Sequence, residues 1–247
     1  RVVHPYEIAI NIVLMAALWG ISGAKIFDIL EHPKSFFSDP IGQLFSAGGF
    51  TFYGGLIMGT LGVMWYCKRK NIDLLQMTDV AAPAVLAAYA VGRMACMLSG
   101  DGCWGIPNPT LQPDWFFFPD WMWAYDFPHN VINDGVLLQN CSGDYCYHLD
   151  VPVFPTPFYE SMLNLIAFGI LWSIRKAVKV PGFLFSLMFT LNGFIRFFIE
   201  KIRVNDKYEI FNAKITQAEI ISTLLVILGI IGMIYFTKRY RKKLSNS

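Results

Sequence analysis

Six runs of about twenty mainly apolar residues punctuate this 247-residue chain, at roughly 8–30, 50–67, 77–98, 158–175, 182–200 and 216–237. An α-helix of that length crosses a hydrocarbon core about 30 Å thick. Lipid offers no partner to a backbone N–H or C=O, so such a segment must satisfy its own backbone. The expected fold class is therefore all-α: a polytopic integral membrane protein with about six transmembrane helices, forming one membrane domain over residues 1–247. Composition agrees. The chain is 55% hydrophobic, and only 15% of it is charged, against about 25% in soluble domains. A net charge of +2 without a recognition motif argues against nucleic acid as a partner.

Basic clusters set the orientation. Lys68-Arg69-Lys70 joins the second and third runs, Arg175-Lys176 with Lys179 joins the fourth and fifth, and Lys238-Arg239-Tyr240-Arg241-Lys242-Lys243 follows the sixth. Alternating spans place all three on one side, which the positive-inside rule makes cytoplasmic. Residues 99–157 then form an extracytoplasmic insert between spans three and four, and the 201–215 loop lies on the same side. The first run starts on the cytoplasmic side after very few residues, so a further span ahead of Arg1 is expected.

Charges inside the apolar runs point to function. Arg196 and Glu200 close the fifth run, and Arg93 lies in the third. A charge deep in a bilayer costs about 2.5–3.5 kcal/mol on insertion scales, so it signals a partner, a wet cavity or chemistry. Met77 to Arg93 is about 24 Å of helix, and Gly182 to Arg196 is about 21 Å. Spans running in opposite directions thus bring two guanidiniums to one level, below the outer surface. Arg196, Glu200 and Arg203 share a helical face by spacing. Glu200 either neutralises these arginines or orients them toward an anion.

Arg93 opens a second constellation, Gly92-Arg93-Met94-Ala95-Cys96-Met97-Leu98-Ser99-Gly100-Asp101-Gly102-Cys103-Trp104-Gly105. A glycine-rich turn lets backbone amides approach an anion, and arginine grips phosphate with paired hydrogen bonds. Phe52-Tyr53-Gly54-Gly55-Leu56 and Pro155-Thr156-Pro157-Phe158-Tyr159-Glu160 stand at the outer starts of their spans. Tyr53 fits an interfacial anchor. Glu160 is favourable at a helix N-terminus without any further role. Lys25 and Asp28 snorkel or pair.

In the insert, the aromatic run from Trp115 to Tyr125 fits either a piece lying at headgroup level or a small cap with its own aromatic core. Cys103, Cys141 and Cys146 fall on the outer side, where disulfides persist; Cys141 can pair with Cys146, and spacing alone leaves the pairing of the three open. Cys96 reads as an inert small hydrophobe. No cysteine or histidine spacing signals zinc, so no metal or cofactor is expected.

Taken in order, Gly23-Ala24-Lys25, the block Gly48 to Ile57, Gly92-Arg93, Trp104-Gly105, Tyr159-Glu160 and Arg196 to Glu200 resemble the bacterial prolipoprotein diacylglyceryl transferase family. The resemblance runs from about Gly23 to Arg203. It implies an enzyme of the bacterial inner membrane, multi-pass, with its active site toward the outer leaflet, a cytoplasmic C-terminus and a monomeric state. The implied reaction moves the diacylglyceryl group of phosphatidylglycerol to the thiol of a lipobox cysteine in a preprotein, releasing glycerol 1-phosphate. The implied catalytic set is Arg93, Arg196, Tyr53, Asp101 and Glu200. Substrate binding falls to Arg93, Gly54, Gly55, Gly105, Tyr159, Glu160 and Arg203.

The chain departs from that family's pattern at four positions. Tyr53 stands where a histidine is common, Cys96 where an asparagine is, Asp101 in place of a glutamate, and Asn192 in place of a tyrosine. The base that would deprotonate the acceptor is thus left between Tyr53, Asp101 and a substrate-assisted route. Two other readings use the same arginines: transfer of a diacylglyceryl or headgroup to a different acceptor, and non-catalytic phospholipid binding.

Overall fold

A computed structural model describes residues 5–46, 49–204, 208–210 and 213–245. Gly48 of the glycine block and His4 fall outside the described residues. The protein is mostly helical, and each of the six apolar runs lies on a helix: α1 (Pro5–Glu31), α4 (Phe52–Arg69), α5 (Leu74–Ser99), α6 (Thr156–Ile174), α7 (Phe183–Glu200) and α8 (Gln217–Ser245). Two short helices, α2 (Pro33–Ser38) and α3 (Pro40–Phe45), fill the connection after α1. By length and composition, α1, α5, α7 and α8 are apolar enough to cross a membrane. The chain is an all-α membrane protein. Helix α4 carries four glycines, and α6 opens on the polar residues Thr156, Tyr159, Glu160, Ser161 and Asn164.

The chain divides into two compact units at Met77. In the first, α1 packs along α4. A Cβ on Gly54 would come within 2.5 Å of the Gly23 carbonyl and of Phe27, so this glycine permits close helix approach. Lys25 is 6% exposed and donates to Ser46 Oγ at 2.8 Å and, more weakly, to the carbonyls of Ser46 and Gly49. Its ammonium holds the segment that leads into α4.

In the second unit, Ala82 and Leu86 of α5, Ala167 and Leu171 of α6, and Leu184 and Met188 of α7 form an apolar core. Asp79 of α5 accepts from the amides of Gly182 (2.7 Å) and Phe185 (2.8 Å), which satisfies donors that a helix start leaves unpaired. Helix α8 opens on a reciprocal cap: Thr216 Oγ1 accepts from the Glu219 amide, and Glu219 accepts from the Thr216 amide.

The 99–157 segment folds around Trp104, Phe127, Leu149 and Val153, joined by Met97 from the end of α5. It contains a one-turn 3-10 helix (Asp120–Met122) and the paired strands β1 (Val136–Leu137) and β2 (Tyr147–His148). The segment has a buried core of its own, while Leu111, Trp115 and Phe117 stay highly exposed. Cys141 and Cys146 are disulfide-bonded, with Cα atoms 5.6 Å apart. A second hairpin, β3 (Tyr208–Ile210) with β4 (Ala213–Ile215), links α7 to α8.

Candidate functional site

Three helices of the second unit deliver charged groups to one cluster. Arg93 is on α5, Glu160 in the first turns of α6, and Arg196 with Glu200 on the last turns of α7. Glu160 is only 2% exposed. One carboxylate oxygen lies 2.9 Å from Arg93 Nε, and the other lies 3.5 Å from Arg196 Nη1. Arg196 Nη2 meets Glu200 at 3.0 Å, one helical turn on. Tyr89, one turn before Arg93, donates its hydroxyl to Glu160 at 2.6 Å and accepts from Arg93 Nη2 at 3.0 Å.

Glu160 therefore does more than complement a helix dipole. It is the shared counter-ion of two arginines from different helices, and a buried carboxylate needs such partners. Its backbone is fixed too. Asn164 donates to the Glu160 carbonyl at 2.7 Å and accepts from Asn192 of α7 at 3.1 Å, while Ser161 donates to the Ala90 carbonyl of α5 at 2.8 Å. Asn192 thus ties α7 to α6. The two arginine side chains keep 16% and 19% of their surface accessible. A guanidinium carries five N–H donors. Arg93 Nη1 and Arg196 Nε take no part in the bonds just described.

Gly105 and Arg203 meet across a β-bridge. The Gly105 amide donates to the Phe154 carbonyl at 2.9 Å, and a Cβ here would come within 2.7 Å of the Ile202 carbonyl oxygen. Only glycine lets these backbones approach so closely. Arg203 Nε is buried and has no hydrogen-bond partner among the described residues.

The turn after α5 folds back on itself. Gly100 and Gly102 adopt φ of +61° and +85°, a region that other residues rarely visit. The return brings the Cys103 thiol to the Cys96 thiol and the Asp101 carboxylate, all within 4.8 Å of one another. Asp101 also accepts from the Cys103 amide at 3.2 Å, and Thr156 Oγ1 donates to the Cys103 carbonyl at 2.9 Å. A hydrogen bond with the Cys96 thiol brings the Cys103 thiol down to about 7, burial opposing and the Arg203 charge assisting. These three side chains are the group of described residues able to hold a metal ion.

The Tyr159 hydroxyl donates to the Met122 carbonyl at 2.5 Å, so it anchors the 3-10 turn of the insert rather than joining the arginine cluster. Tyr53 belongs to the first unit, where its side chain is 54% exposed. Gly54 and Gly55 face α1 in that unit. Sequence reasoning missed Tyr89, which carries the i, i+4 signal beside Arg93, and the meeting of Cys96 with Cys103, which carries none.

A family model described as prolipoprotein diacylglyceryl transferase matches residues 3–235. Curated relatives bear the name phosphatidylglycerol-prolipoprotein diacylglyceryl transferase. The one from Clostridium tetani is 31% identical over 234 residues, covering 94% of this chain and 82% of the relative. The one from Clostridioides difficile is 28% identical over 238 residues, covering 96% and 81%. The one from Staphylococcus haemolyticus is 26% identical over 236 residues, covering 95% and 75%.

Proposed function

This chain belongs to the prolipoprotein diacylglyceryl transferase family and is therefore a transferase; from that premise we propose that Arg93 and Arg196, sharing Glu160, hold the phosphate of phosphatidylglycerol while its diacylglyceryl group moves to a prolipoprotein. The acceptor is the thiol of a lipobox cysteine. Its sulfur attacks the diacylglyceryl carbon bonded to the phosphate oxygen. A C–S bond forms, the C–O bond breaks, and glycerol 1-phosphate leaves with the electron pair. The thiol proton goes to solvent or to the departing phosphate.

The observation that carries this reading is the buried carboxylate bridging two arginines at 2.9 and 3.5 Å. It fixes each guanidinium and leaves donors over. Preorganised donors act where charge develops, here on the departing phosphate. Arg93, Arg196 and Arg203 outnumber Glu160 and Glu200 by one positive charge, which matches a phosphodiester. Glu200 positions Arg196. Gly105 keeps the strand-like contact beside Arg203 closed.

The same reading sets the topology. Six helices span the bacterial inner membrane, the three basic clusters and the C-terminus face the cytoplasm, and the insert lies outside with its aromatic rim at headgroup level. The protein acts as a monomer. The site then sits near the outer leaflet, where a secreted preprotein and the lipid donor meet.

The test is turnover by the purified protein on phosphatidylglycerol and a lipobox peptide, followed by mass spectrometry of the peptide and a coupled assay for glycerol phosphate. The expected result is a peptide carrying one diacylglyceryl group and an inactive Arg196→Ala variant. Glycerol phosphate without a modified peptide would move the reading to a different acceptor. Lipid binding without either product would make the site a headgroup clamp.

A further inference from the structure

Cys96, Asp101 and Cys103 form a chemically distinct cluster next to the arginines. Cys96 follows Arg93 by three residues, on the same face of α5. The glycine turn and the bonds from Asp101 and Thr156 hold the Cys103 backbone in place. The two sulfurs and the carboxylate oxygen all lie within 4.8 Å of one another. Around a tetrahedral zinc, with Zn–S about 2.3 Å and Zn–O about 2.0–2.2 Å, ligand atoms stand about 3.5–3.8 Å apart. The spacing in the cluster, up to 4.8 Å, exceeds that value by about 1 Å.

Charge and softness narrow the ligand. Two thiolates and a carboxylate bring three negative charges together. A divalent cation offsets two of them. Thiolate donors select a thiophilic ion such as zinc over magnesium or calcium. Structural zinc sites are closed by four protein ligands, whereas reactive ones use three and leave a position open.

We propose that Cys96, Asp101 and Cys103 bind a thiophilic divalent cation whose open fourth position takes the acceptor's thiolate. This rests on the transferase reading above and deepens it, because it supplies the thiol activation that the arginines do not. Coordination releases the thiol proton to water. The metal-held sulfur keeps an electron pair for attack on the diacylglyceryl carbon, and the product thioether, a weaker ligand, departs.

The experiment uses the full chain in detergent, with Cys96 and Cys103 as thiols and the Cys141–Cys146 disulfide intact, stripped with a chelator and titrated with cobalt(II). The expected result is about one tetrahedral cobalt per chain with a thiolate-to-metal charge-transfer band. Cys96→Ser and Cys103→Ser abolish the band, and Asp101→Asn weakens binding by at least about tenfold. A lipobox peptide shifts the visible bands, and the same peptide with serine for cysteine does not. Thermal unfolding of each variant confirms that it folds.

Absence of the band in folded wild type with Cys96 and Cys103 as thiols would overturn the proposal, as would a band that survives both cysteine substitutions, or one blind to the peptide. A chelated protein that still transfers at the full rate would sink the inference while leaving the transferase reading standing. Cobalt bands that respond to the peptide in a protein that modifies no peptide would do the opposite.

Discussion

The two units treat a buried cation differently. Lys25 in α1 lies almost wholly inside the first unit, where its ammonium donates to a serine hydroxyl and to carbonyls of the segment before α4. Arg93 and Arg196 in the second unit share the Glu160 carboxylate, and each keeps some surface accessible. A lysine head is a compact point charge that can close a loop. An arginine fork can hold a carboxylate on one edge and still present donors on another. Under the proposed function, the first arrangement is structural and the second binds the lipid phosphate.

Substitutions can break that contrast, beginning with the most severe. Glu160→Gln leaves two guanidiniums without their shared counter-ion. Breaking a buried pair costs about 3–5 kcal/mol, so we expect a lower unfolding temperature and transfer reduced beyond detection. Near-normal turnover in this variant would remove Glu160 from the centre of the account. Arg196→Lys keeps the charge and loses the fork. We expect kcat to fall about 100-fold, as when one preorganised donor is removed, with a smaller change in stability.

Gly105→Ala drives a methyl group into the Ile202 carbonyl. Such overpacking costs about 1–3 kcal/mol, readable as a shift in the denaturation midpoint. The smallest effect is expected for Lys25→Met, about 1 kcal/mol of stability from lost hydrogen bonds. Its affinity for the lipid headgroup should match that of wild type. A loss of headgroup binding as large as that of Arg196→Lys would erase the distinction between the two buried cations.

Much of this contrast is legible in the amino-acid sequence. Apolar runs give the helices because lipid forces backbone bonds inside each segment. The cost of burying charge singles out Arg93, Arg196 and Glu200. Glu160 is harder to read, since a carboxylate at a helix start is favourable on local grounds alone. Only packing of α5, α6 and α7 aims it at two arginines. Tyr89 is hidden for the same reason. Cys96 and Cys103 straddle a turn whose left-handed glycines bring them together, a contact that spacing in a helix does not announce. The aromatic run from Trp115 to Tyr125 draws the eye in the sequence, but Phe127, Leu149 and Val153, buried in the core of this segment, come from farther along the chain.

The most direct measurement is a nitrogen-15 to phosphorus-31 dipolar experiment on arginine-labelled protein in phosphatidylglycerol bilayers. Arg93 and Arg196 guanidinium nitrogens within about 4 Å of the lipid phosphorus are predicted, as direct hydrogen bonding requires. That dephasing should vanish at position 196 in Arg196→Lys. Dephasing confined to arginines of the C-terminal basic cluster, unchanged in Arg196→Lys, would contradict the claim that this site holds the phosphate.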